Sequence, residues 1–74
     1  MKNPAHIKAF GNHLRELRKE RKLSQQKLAD MADVPKITIQ RIELAKSSAT
    51  VDMAVSIAFA LEIHPRELMD YIVT

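Results

Sequence analysis

Between residues 24 and 43 the apolar positions Leu28, Ala29, Val34, Ile39 and Ile42 recur as two short helices require when they cross steeply over one buried face. Ala29 is small enough to let them approach closely. Upstream, Ile7, Phe10, Leu14 and Leu17 stand three, four and three apart, the stripe of an amphipathic helix. Downstream, Val51, Ala54, Ile57, Ala58 and Leu61 form a further stripe.

Punctuation residues divide the chain into five helices. Asn3 and Pro4 suit the cap and first position of a helix reaching about residue 22. Ser24 caps a second over 25 to about 31, and Ala32 and Asp33 make the turn. Pro35 is placed at the first position of a third, which ends near residue 44, because its missing amide would be unsatisfied there anyway. Residues 45 to 49 are the longest connection, Thr50 caps a fourth helix through about 61, and His64 and Pro65 start a fifth that ends near 71. Gly11 inside the first helix costs about 1 kcal/mol relative to Ala. Either something packs closely against it or the helix begins later.

Composition narrows this picture. One Gly and three Pro are too few for a turn-rich β architecture, so the expected class is all-α, and 74 residues read as a single domain. The absence of Cys excludes disulfides and thiolate metal sites. No apolar run approaches the roughly 20 residues of a membrane span, which points to a soluble, cytoplasmic protein without membrane partners. The net charge of +3 conceals a division: residues 1 to 46 hold eleven Lys or Arg against five acids, whereas 47 to 74 hold only Arg66 against four. A polyanion would therefore approach the half that contains the paired helices.

The segments LRELRKERKLSQQKLADMADV, IQRIE (39 to 43) and SIAFALEIHPREL (56 to 68) carry a resemblance to the lambda-repressor and Cro-like helix-turn-helix proteins, also called the xenobiotic-response-element family. It covers roughly residues 7 to 70. It implies a five-helix, lambda-repressor-like DNA-binding domain in which helices two and three form the helix-turn-helix, and a regulator, most simply a repressor, that occupies double-stranded DNA and is nucleoid-associated when bound. By position, it assigns base reading in the major groove to Lys36, Ile37, Gln40 and Arg41. Lys and Arg donate to guanine O6 and N7, while Ile packs against a thymine methyl. Gln25, Thr38, Lys46, Ser47 and Ser48 take phosphate-contacting or positioning roles, and Arg18 with Glu43 matches a largely buried ion pair between helices one and three. Three positions depart from the family pattern: Asp33 and Ala45 stand where Gly is usual, and Pro35 replaces a Ser or Thr cap. With Ala45, the third helix either continues or ends in another geometry.

Val55, Phe59, Met69, Tyr71 and Ile72 are more apolar surface than a chain of this size buries, and imply a homodimer through helices four and five. Such a dimer predicts a palindromic operator. His6, His13 and His64 fit no metal-binding or nucleophile–base pattern and read as surface polarity and helix capping, so neither enzymatic activity, nor a cofactor or metal, nor a small-molecule ligand is expected. The alternative reading keeps the fold and uses its display face to bind a partner protein.

Overall fold

The computed structural model describes residues 3–73. Five helices follow in order: α1 (Pro4–Glu20), α2 (Gln25–Ala32), α3 (Lys36–Glu43), α4 (Val51–Ala60) and α5 (Pro65–Leu68), with no strand among the described residues. The α2 helix packs on α3 and α4, α1 packs across α3 and α5, and α5 closes against α4. Leu14, Leu28, Ile39, Ile42, Ile57, Leu61 and Leu68 are the largest fully buried side chains and draw all five helices onto one core. No helix among the described residues is long and apolar enough to cross a membrane.

The caps explain where the helices begin. Ser24 Oγ accepts the Lys27 amide at 3.0 Å, and Thr50 Oγ1 accepts the Met53 amide at 3.1 Å. Pro35 is the cap of α3 itself, with extended backbone, so Lys36 rather than Pro35 is its first residue. Asn3 occupies the cap position of α1 but makes no side-chain bond there. The fifth helix stops at Leu68, short of the expected end near Tyr71. One residue of the expected α4 stripe is misassigned: Val51, the first residue of the helix, is 81% exposed and lies outside the core cluster that takes in Ile57, Ala58 and Leu61.

The ends of α1 to α4 share a device that the scarcity of glycine concealed. Lys22, Asp33, Ala45 and Glu62 all take left-handed backbone, with φ of 57°, 57°, 59° and 59°. Each lets the next amide reach back to a carbonyl five residues earlier: Leu23 to Arg18 (3.1 Å), Val34 to Ala29 (3.0 Å), Lys46 to Arg41 (2.8 Å) and Ile63 to Ala58 (3.0 Å). Ala45 therefore keeps the geometry that Gly would favour, at the cost its Cβ imposes. After three of these turns an apolar residue, Leu23, Val34 or Ile63, folds back onto the core. After α3 the corresponding residue is the exposed Lys46. Replacing Ala45 with Gly should stabilise the fold by up to about 1 kcal/mol, the left-handed strain relieved exceeding the added freedom of the unfolded chain. A thermal melt should show a rise of several degrees, about 4–8 °C per kcal/mol for a domain of this size.

Candidate nucleic-acid interface

The third helix is divided lengthwise by its burial. Ile39 and Ile42 are fully covered and fix it on the core, while Lys36, Ile37, Gln40 and Arg41 face solvent. None of these four side chains makes a hydrogen bond or ion pair within the chain among the described residues. Ile37 is 54% exposed beside these polar groups. Thr38 is half-buried at the edge of this face. Beyond the left-handed turn at Ala45, Lys46 and Ser48 are exposed and Ser47 is half-buried.

Behind the display face, one carboxylate ties three helices together. The Glu43 side chain is fully buried; its Oε2 accepts Arg18 Nε at 2.7 Å and its Oε1 accepts Arg18 NH2 at 2.9 Å, a bidentate pair between α3 and α1. Arg18 NH1 also donates to the Leu23 carbonyl at 2.8 Å. Gln25, at the start of α2, donates its side-chain amide to Glu43 Oε1 at 3.1 Å. The α2–turn–α3 unit is thus locked to α1 by polar bonds as well as by its apolar face. Burial alone would push the Glu43 carboxyl up, but the bonds from Arg18 and Gln25 and the charges of Arg18 and Arg15 more than offset this and hold it below the usual glutamate range. The Glu43 hydrogen bond correspondingly raises Arg18, against the opposing effect of its burial.

The residues expected at a dimer contact fall into two groups. Phe59 is 69% exposed, and Met69 and Ile72 are also exposed. Val51, Val55 and Phe59 succeed one another at four-residue intervals and so share one side of α4. Val55 is half-buried, and Tyr71 is drawn into its own chain, with its ring edge-on to Phe10 and its hydroxyl 3.0 Å from His6 Nδ1. The histidines also have structural partners. His13 Nε2 donates to the Glu67 carbonyl at 2.7 Å, and His64 Nδ1 accepts the Arg66 amide to cap α5. His64 is therefore a helix cap, whereas His6 and His13, expected as surface polarity, fasten α1 to the C-terminal segment. No group of three or more metal-ligating side chains occurs among the described residues.

The sequence reading missed Arg15, which lies within 3.6 Å of Glu43 Oε1. Its signal was the three-residue step to Arg18, which places both guanidiniums on the same side of α1.

A family profile described as helix-turn-helix matches residues 14–68. The chain is similar in structure to the restriction-modification controller protein C.AhdI from Aeromonas hydrophila, with a TM-score of 0.82 and 34% identity over 84% of this chain and 94% of that one. It is also similar to an HTH_3 family transcriptional regulator from Vibrio cholerae, with a TM-score of 0.82 and 31% identity. That match covers 89% of this chain but only 38% of the longer regulator. Comparison with curated proteins gives no match.

Proposed function

The chain belongs to the helix-turn-helix family of the lambda-repressor and Cro type, and on that basis we propose that it is a transcriptional regulator that lays α3 in the major groove of an operator and represses by occupying it. The observation that carries this reading is the division of α3: one face buried through Ile39 and Ile42, the other holding Lys36, Ile37, Gln40 and Arg41 exposed and without internal partners among the described residues. Lys36 and Arg41 donate to guanine edges, Ile37 packs on a thymine methyl, and Gln40 is within reach of a base edge. Gln25, Thr38, Lys46, Ser47 and Ser48 hold the sugar-phosphate backbone. Similarity to a restriction-modification controller over nearly all of that protein's length favours the same kind of regulatory task here.

The proposed active species is a homodimer, each chain contributing one domain. Phe59, Met69 and Ile72 form the contact, with Val55 and Tyr71 at its margin. Two-fold pairing would set two copies of α3 about 34–36 Å apart, or a multiple of that, on a palindromic site.

DNA affinity should fall by orders of magnitude between about 50 and 200 mM salt, as release of counterions from phosphates requires. An apolar protein interface would hardly respond, so a flat salt titration would favour the partner-protein alternative. Sedimentation should find dimer at tens of micromolar, and a monomer with and without DNA would remove the two-fold reading.

A further inference from the structure

Two arginines of α1 face one carboxylate, and only one of them is fully engaged. Arg18 meets both Glu43 oxygens at 2.7 and 2.9 Å and the Leu23 carbonyl at 2.8 Å. Arg15 approaches Glu43 Oε1 no closer than 3.6 Å and makes a long 3.4 Å bond to the Glu43 backbone carbonyl. Charge-assisted bonds are normally 2.7–2.9 Å, so this guanidinium is loosely held. Its side chain remains 38% exposed, whereas that of Arg18 is 11% exposed.

No other carboxylate lies within ion-pair distance of either arginine among the described residues. The helical neighbours of Arg15 three and four residues away are Gly11, Asn12, Arg18 and Lys19, none of them acidic. One negative charge thus serves two positive ones, and the excess rests on the more exposed guanidinium. The oxygen that Arg15 faces, Glu43 Oε1, is also the acceptor of the Gln25 amide at 3.1 Å. Arg15 and Gln25 therefore stand side by side, two donors converging from α1 and α2.

We propose that Arg15 is a phosphate-positioning residue that, together with Gln25, clamps a single backbone phosphate of DNA. The planar guanidinium fork suits a phosphate, and an anion placed there supplies the charge that Glu43 leaves unmatched. The contact would be blind to sequence and would fix the angle at which α3 enters the groove. This inference rests on the DNA-binding reading given above.

Fluorescence anisotropy with a labelled duplex tests it, on wild type, Arg15→Gln and Arg15→Lys across the salt range. Arg15→Gln should weaken binding to all sequences alike and reduce the slope of log affinity against log salt by about 0.9, the contribution of one phosphate contact. Arg15→Lys should retain the slope, and both variants should melt close to wild type because the Arg18–Glu43 pair is untouched. If wild type binds DNA with a steep salt dependence and Arg15→Gln matches its affinity and slope, the proposal is overturned while the DNA-binding reading stands. A lower melting temperature with an unchanged slope also overturns it, and assigns Arg15 to capping the α3 carbonyls. Wild type that binds no DNA would remove the reading beneath it.

Discussion

Glu43→Ala should destabilise the fold by about 3–5 kcal/mol, enough to remove much of the stability a domain of this length possesses. The loss comes from what is left behind. Arg18, only 11% exposed at its side chain, would keep its charge with no anion beside it, and the Gln25 amide would lose its acceptor. Arg18→Ala should be damaging as well, since a carboxylate with no solvent access is left with the Gln25 amide and the loosely held Arg15 guanidinium alone. Replacing both members, as in Arg18→Met with Glu43→Leu, should recover much of the loss, because removing a buried pair together also removes its desolvation penalty. Urea unfolding of the two single variants and the double variant measures the difference. Equal losses in all three would show that packing, not the stranded charge, sets the effect.

The same pair fixes how stability responds to acid. The Glu43 carboxyl sits below its ordinary range in the folded chain, so the folded state holds the proton less readily than the unfolded state. Its contribution is fully present above the unfolded value of about 4.3 and is lost as the pH falls through the lower folded value. The urea midpoint of wild type should decline below about pH 4, and Glu43→Gln should lack that part of the decline.

Gly11→Ala is expected to destabilise by about 1–3 kcal/mol, although the same change in an exposed helix would stabilise by about 1 kcal/mol. A Cβ at Gly11 would collide with the Ile42 carbonyl oxygen and lie 3.2 Å from that of Glu43. Both obstacles are backbone at the end of α3, so relief requires α1 and α3 to move apart. That shift would also stretch the Arg18–Glu43 bonds, because they span the same two helices. A thermal melt should fall by about 4–8 °C for each kcal/mol lost, and a rise would show that the contact between the helices yields easily.

These two sites mark how far the sequence alone reaches. The hydroxyls of Ser24 and Thr50 announced the starts of α2 and α4, because a cap is a local interaction. The inward set of the paired helices, Leu28, Ala29, Ile39 and Ile42, followed from periodicity, and the helix-turn-helix family from the resemblance of its segments to known members. Close packing, one of the two readings of Gly11, is the one that holds, but the sequence could not choose it, since the obstacle lies more than thirty residues away. The ends of α1 to α4 were located closely, but the left-handed backbone at Lys22, Ala45 and Glu62 was obscured, because composition associates it with glycine. Nor did periodicity reveal that Val51 stays exposed or that Tyr71 turns back onto Phe10 and His6. Both depend on where the short α5 and the segment after it come to rest. On α3, Lys36, Ile37, Gln40 and Arg41 are exposed, as the positions implied by the family resemblance require. The sharing of Glu43 among Arg15, Arg18 and Gln25 required three helices to be assembled first.

The most direct test of base reading by α3 is selection of bound duplexes from a random pool with wild type, Lys36→Ala, Arg41→Ala and Lys46→Ala. Wild type should enrich a two-fold symmetric site with a thymine near the position facing Ile37. Lys36→Ala and Arg41→Ala should each lose about 1–3 kcal/mol and relax the preference at one base pair per half-site, while Lys46→Ala should weaken every sequence alike and leave the preference intact. A uniform loss from all three variants, with the enriched site unchanged, would contradict the assignment of that face to the bases.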